Sequence, residues 1–239
     1  MPTQVFDRVY VSDIEIVSLT RNGGHSLAPY DSLNLANYVG DDAKSVSANQ
    51  ANVAALVGAS GIAVMTSEHG RIVHVVDTAG PAASGDGLVS RTPNLALLAL
   101  AADCVPFALA DPVNRVIAIG HAGWRGVLAN VMEATIESFV SEGGELERTQ
   151  AVIGPAICAQ CYKVPAERVD MFRQTRISAV FDDTHLNLTA AVYSELSLAI
   201  NQVHTISGCT QEDPKLFSYR RAAGSPTGRG GLVITLPSS

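Results

Sequence analysis

The sequence predicts an α+β fold with mixed α/β layers, a single domain in which mixed central sheets are flanked by helices. Three observations carry this prediction. The 239-residue chain is 47% hydrophobic, enough to bury a sizeable core. Residues 95–101, 105–110 and 116–119 are near-continuous apolar runs of the kind found in strands covered on both faces. Segments with helical spacing of apolar residues follow or precede such runs along the whole chain. No internal repeat, low-complexity linker or charge run marks a boundary, so residues 1–239 are read as one domain.

The elements follow in order. Residues 8–20 alternate as a strand or hairpin, and the Arg-Asn-Gly-Gly-His run at 21–25 gives a turn with Arg21 at its mouth. Gly40-Asp41-Asp42 is an N-cap signal for a helix reaching about Val57. Residues 62–66 and 72–76 read as strands joined by a tight turn that holds His69 and Gly70, and a glycine-rich loop spans 80–87. The three apolar runs are expected side by side in one central sheet, with a turn at 111–114. A helix is expected over 127–140, a short strand at 151–153, a helix from Pro165, another over 189–203, and a last strand at 232–236.

Composition excludes several classes of function. A net charge of -7 without a Lys/Arg cluster argues against nucleic-acid binding, which needs a basic face. The longest apolar run, 95–102, ends at Asp103 and is too short to span a bilayer. The first residues lack a basic segment followed by an apolar one, so a cytoplasmic protein acting on a small molecule is expected. Four cysteines are too few for a dense disulfide framework and are read as thiols or metal ligands.

The chemistry centres on the Gly-His-Ala-Gly-Trp-Arg-Gly run at 120–126 and on Ala102-Asp103-Cys104, where apolar runs hand over to loops. Two neutral imidazoles and a thiolate suit Zn²⁺, and His69, Cys104 and His121 would leave a fourth position open for water or substrate. The alternative is a buried apolar Cys104 with histidines that only cap loops. Asp103 reads either as a carboxylate that orients a ligand or moves a proton, or as a hydrogen-bonded strand terminator. Arg125, at a helix start, is a donor for an anion beside His121. Trp124 either stacks on a flat ring or staples helix to sheet. Cys158 and Cys161 form a CxxC without a second ligand pair nearby in sequence, for which pocket lining or packing is expected ahead of a redox role, and Cys209 has no evident partner.

Several runs together resemble the YfiH family, also called laccase-domain, multicopper polyphenol oxidase or peptidoglycan editing factor. They are Arg-Asn-Gly-Gly-His-Ser at 21–26, Ser-Leu-Asn-Leu at 32–35, Val-Gly-Asp-Asp at 39–42, His69-Gly70, and Ala-Asp-Cys-Val-Pro at 102–106. The 120–126 motif, Gly-Pro-Ala-Ile at 154–157, Cys209-Thr210, Phe-Ser-Tyr-Arg-Arg at 217–221 and Thr-Gly-Arg at 227–229 complete the set, in order along nearly the whole chain. The resemblance implies a single CNF/YfiH-like domain and one zinc on His69, Cys104 and His121, with copper a lesser alternative. It also implies purine nucleoside phosphorylase activity on adenosine, inosine and methylthioadenosine, together with adenosine deaminase activity.

On that resemblance, phosphate would be held by Arg21 or Arg125, the nucleoside by Asn34, and Asp103 would move a proton. The partners would be a purine nucleoside and phosphate, with no nucleic acid, no membrane and a monomeric chain. Ser67-Glu68 replaces the family's usual Gln-Val ahead of the first ligand histidine, and Gly85-Asp86-Gly87 carries glycines where alanine is usual. Two rival enzymatic readings remain, beside a non-catalytic, zinc-stabilised binding protein for which no fourth ligand is evident. One is a cysteine or zinc hydrolase that edits a peptidoglycan precursor. The other is a copper polyphenol oxidase, for which six histidines are few.

Overall fold

The computed structural model describes residues 2–238. In chain order its strands and helices are β1 (Val5–Val11), β2 (Ile14–Leu19), α1 (Ala43–Leu56), β3 (Gly61–Thr66), β4 (Val73–Val75), β5 (Gly80–Ser84), β6 (Gly87–Ser90), β7 (Leu95–Ala101), β8 (Val105–Asp111) and β9 (Val116–Ala122). There follow α2 (Trp124–Leu128), α3 (Val131–Ser141), β10 (Gln150–Ile153), α4 (Ala166–Thr175), α5 (Leu188–Leu196), β11 (Gln202–Thr205), α6 (Tyr219–Ala222) and β12 (Gly230–Thr235). Among the described residues no helix is long and apolar enough to cross a membrane.

Two six-stranded mixed sheets organise the molecule, β1-β2-β12-β7-β3-β5 and β11-β10-β8-β9-β6-β4. Their facing sides meet over a core that includes Ile16, Leu97 and Ala99 from the first sheet and Ala108, Ile117 and Ile119 from the second. The outer side of the first sheet, with Leu98, Leu100 and Val233, packs on Val53 and Ala54 of α1. The outer side of the second, with Phe107, Val116 and Ala118, packs on Phe139 of α3, Phe172 of α4 and Val192 of α5. Successive strand residues point to opposite faces, and both faces are covered, so β7, β8 and β9 are apolar at nearly every position. The result is the α+β architecture of mixed sheets flanked by helices.

Local signals placed several elements well. Asp42 caps α1, its side chain accepting from the Ser45 N–H at 2.8 Å. Residues 5–19 form an antiparallel hairpin. Other expectations are corrected. The three apolar runs do not share one sheet: β7 lies in the first, paired with β12 and β3, while β8 and β9 form a hairpin in the second. The strands either side of His69 are also in different sheets, so this segment crosses between layers rather than turning a hairpin. The 80–87 loop contains β5, parallel to β3.

The helix expected over 127–140 is broken, because Asn130 takes a left-handed conformation (φ 64°) and separates α2 from α3. The expected 189–203 helix ends at Leu196, and its last residues turn into β11. Pro165 sits one residue ahead of α4, at the N-cap.

Candidate active site

Strand pairing explains why residues far apart in sequence converge. In the β8–β9 hairpin Val105 pairs with Ala122 and Pro106 with His121, so Cys104, one residue before β8, and His121 stand at the same end. β6 runs antiparallel to β9 on its other side, with Gly87 opposite Gly120, which brings Asp86 beside His121. The crossing segment after β3 delivers His69. Ligand atoms of His69, Cys104 and His121 all lie within 4.8 Å of one another.

The Cys104 Sγ is 4.0 Å from His69 Nε2, and the two imidazole rings stand edge to face, 5.0 Å apart at 87°. Gly123 closes the cradle: a Cβ there would lie 2.6 Å from His69 Cδ2 and 3.1 Å from Cys104 Sγ. Only a residue without a side chain fits so close to the ligands.

Asp86, fully buried, is the organiser that the sequence reading missed. Its Oδ1 lies 2.9 Å from His121 Nδ1 and accepts the His69 N–H at 3.0 Å, while Oδ2 accepts the Gly70 N–H at 2.6 Å. Its backbone oxygen also accepts the His121 N–H at 2.9 Å. One carboxylate thereby holds both histidine segments and leaves His121 Nε2 directed at the shared space. Burial alone would raise the Asp86 carboxyl, but the hydrogen bond to His121, the Gly70 and His69 N–H groups and the His121 charge hold it below the usual range.

Burial likewise opposes ionisation of Cys104, and the charge and hydrogen bond of His121, helped by His69, overcome it and bring the thiol down to about 6. Burial pushes His121 down, but Cys104 and Asp86 outweigh it and raise the imidazole to about 9. Each partner thereby favours the charged form of the other, thiolate beside imidazolium. The donor set itself, two imidazoles and an easily ionised thiol with room for a fourth ligand, fits a borderline-soft divalent ion.

These three side chains line a cavity of about 380 Å³, within the range of small-molecule sites. Its wall is cationic and aromatic. Arg125, Arg168, Arg220 and Arg229 all line it, and among the described residues none of the four is in an ion pair. The Arg125 and Arg168 guanidinium groups lie 4.4 and 4.2 Å from the centre of the Trp124 ring. Arg220 lies over Tyr162 at 5.3 Å and Arg229 over Tyr219 at 5.8 Å. Burial raises the Tyr38 and Tyr162 phenols above their ordinary value, so both remain neutral at the cavity wall. Ser67 lines the same wall, and among the described residues its buried Oγ has no hydrogen-bond partner.

Of the residues singled out in the sequence, His69, Cys104, Asp103, Arg125, His121 and Trp124 line this cavity. Arg21 and Asn34 do not. Arg21 pairs with Asp31 at 3.1 Å and lies over Phe217, outside the cavity wall. The Asn34 amide is fully buried and bound within the chain, donating to Ala36 O and Asp41 and accepting the Arg229 N–H at 2.9 Å. It positions the segment that carries Arg229.

Asp103, expected to move a proton, lines the cavity with both carboxylate oxygens hydrogen-bonded. Its Oδ1 accepts the Thr210 hydroxyl at 2.6 Å and its Oδ2 the Arg220 N–H at 2.6 Å, so the carboxylate is committed to bracing the wall. Glu68 turns away, accepting from the Ser84 hydroxyl at 2.9 Å.

Arg220 and Arg229 lie within the Phe-Ser-Tyr-Arg-Arg and Thr-Gly-Arg runs, a signal that could have drawn attention to them. Arg168 carries none, since one arginine on an exposed helix looks like any other.

Fold and site together define a mixed α/β protein with a His, Cys, His centre in an arginine-lined cavity. The chain belongs to the YfiH family: the family described as multi-copper polyphenol oxidoreductase laccase matches residues 15–237. A purine nucleoside phosphorylase of Mycobacterium tuberculosis is 37% identical over 230 residues, covering 92% of this chain and 91% of that protein. Adenosine deaminase RL5, from an unidentified prokaryotic organism, is 29% identical over 180 residues, covering 70% and 69%. The crystal structure of the Bacillus licheniformis hypothetical protein YfiH superposes with a TM-score of 0.84 at 30% identity, covering 93% of this chain and 92% of that one. With relatives named in this way, an enzyme of this general kind follows.

Proposed function

We propose that this chain is a zinc-dependent purine nucleoside phosphorylase that converts a purine nucleoside and phosphate to free base and ribose 1-phosphate. The observation that carries the reading is the placement of four arginines, none ion-paired among the described residues, around the same cavity as the His69, Cys104 and His121 centre. In a chain of net charge -7, such a concentration of positive charge at one site favours a small anion. The names of the relatives supply the substrate class.

His69, Cys104 and His121 would hold the metal, which supplies a positive centre that polarises an oxygen and stabilises developing negative charge. Arg125 and Arg168, neither of them in an ion pair among the described residues, bind phosphate and orient one of its oxygens toward C1′ of the ribose. That oxygen forms the new bond as the C1′–base bond breaks. Tyr38, over which no guanidinium lies among the described residues, offers a flat face for the purine, and Ser67 lies on the same wall. Asp103 positions Arg220 rather than moving a proton. Adenosine, inosine and methylthioadenosine are the expected nucleosides. Four cysteines outside any disulfide suit a reducing cytoplasm.

Deamination is a second reading, favoured by the relative named adenosine deaminase. Incubating zinc-loaded protein with adenosine, with and without phosphate, separates the two. Phosphate-dependent adenine and ribose 1-phosphate, lost in Cys104→Ala, support phosphorolysis. Phosphate-independent inosine supports deamination. If metal is bound and neither product forms, both readings fail, and metal-assisted hydrolysis of an amide in a cell-wall precursor is the next reaction to assay.

A further inference from the structure

A second group of ligating side chains lies outside the cavity wall. Cys158 and Cys161 occupy one tight turn, in which the Cys161 and Tyr162 N–H groups donate to Cys158 O at 3.1 and 3.0 Å. Facing it is a turn that begins at Cys209, whose carbonyl accepts the Asp213 N–H at 2.9 Å. The two turns are joined by an isolated parallel bridge between Ala156 and Cys209. The cysteine at 209 thus has the partner that its sequence context did not reveal, and the CxxC has its further ligands.

One ligand atom from each of Cys158, Cys161, Cys209 and Glu212 lies within 4.8 Å of the other three. Cys161 Sγ stands 3.6 Å from Glu212 Oε1. In a tetrahedral zinc site, with metal–sulfur bonds near 2.3 Å and metal–oxygen bonds near 2.0–2.2 Å, neighbouring ligand atoms are roughly 3.5–3.8 Å apart. The group is therefore close to the spacing needed to close around one ion. None of its three thiols is in a disulfide. The Cys158 N–H donates to Cys209 Sγ at 3.3 Å, the kind of backbone support that thiolate ligands receive.

We propose that Cys158, Cys161, Cys209 and Glu212 form a second metal site that takes Zn²⁺ and staples the 158–161 turn to the 209–212 turn. Three thiols bind as thiolates, releasing their protons to solvent, and the carboxylate supplies the fourth ligand. With four protein ligands no position stays open, so the site is structural. Three sulfurs select a thiophilic ion over magnesium or calcium.

The staple sits behind the cavity wall. The Ile157 N–H, next to Cys158, donates to Asp103 O at 3.0 Å, and the Thr210 hydroxyl, next to Cys209, donates to Asp103 Oδ1 at 2.6 Å. Asp103 in turn accepts from the Arg220 N–H, and the Arg220 guanidinium reaches Lys163 O at 2.9 Å. An ion joining the two turns would fix both supports of Asp103 and, through them, Arg220.

Metal counting on full-length protein, purified anaerobically with reductant and loaded with zinc, tests this without reference to any substrate. Two zinc ions per chain are expected in the wild type, and one in each of Cys161→Ser, Cys209→Ser and Cys104→Ala. With cobalt(II), the thiolate-to-cobalt absorption should fall to about one quarter on loss of the cluster and to about three quarters in Cys104→Ala, following the four expected cobalt–thiolate bonds.

Should the serine variants fail to fold, Glu212→Gln and wild-type alkylation replace them. The second zinc should pass more readily to a competing chelator in Glu212→Gln, and zinc should shield Cys158, Cys161 and Cys209 from a thiol reagent. One zinc per wild-type chain, lost in Cys104→Ala, overturns the proposal. So does equal alkylation of the three thiols with and without zinc.

Discussion

Cys104 and His121 stand at strand ends of the second sheet and His69 on the segment that crosses to it from the first, whereas Cys158, Cys161, Cys209 and Glu212 stand on two turns outside both sheets. The first group is braced by a fully buried carboxylate and opens onto a cavity. The second is braced by backbone N–H groups, has an exposed carboxylate, and offers four ligands that face one another. The contrast teaches that donor chemistry alone does not separate a group that opens onto a cavity from one that closes on itself. What separates them is the number of ligands and whether the fold leaves one direction free.

The sharpest division should come from pH. In the metal-free first centre, His121 is held protonated up to about 9 and Cys104 is ionised above about 6. A metal entering between pH 7 and 9 must displace the His121 proton, so a raised imidazole value weakens binding at the lower pH. The Kd of this centre should fall by about tenfold per pH unit over that range and flatten above 9, as measured by chelator competition. A flat profile would show that no thiolate–imidazolium pair exists there.

Next in size is Asp86→Asn. Removing the charge that holds His121 and the two N–H groups of the His69 segment should weaken metal binding at the first centre by about 10–100-fold. Zinc retained by Cys158, Cys161, Cys209 and Glu212 should not change, and equal loss from both groups would point to general unfolding instead.

The smallest of the three effects is expected at the wall. Arg168→Ala should raise the KM for phosphate by about tenfold or more, the value of a charged hydrogen bond of about 1.5–3 kcal/mol, without altering metal content. Arg21→Ala, remote from the cavity, is the comparison. If Arg21→Ala raises that KM more than Arg168→Ala, the phosphate site lies elsewhere.

The sequence alone determined what depends on neighbours along the chain. Asp42 capping α1, the β1–β2 hairpin, and strands ending near Cys104 and His121 are set by side-chain spacing and local hydrogen bonding, which act over a few residues. Spaced motifs also made the family recognisable, and with it the candidate ligands.

Tertiary structure decided the rest. It placed β7 in a different sheet from β8 and β9, although all three runs are equally apolar, because burial on two faces says nothing about which strand lies alongside. It set Asp86 against His121, 35 residues away, and spent the Asp103 carboxylate on Thr210 and Arg220. It carried Arg168 to the cavity, drew Asn34 into the interior, and brought Cys209 to a CxxC 51 residues upstream. In each case the partner of a charged or ligating group is fixed by the path of the folded chain, and a hydrogen bond or metal ligand acts over a few ångströms whatever the separation in sequence.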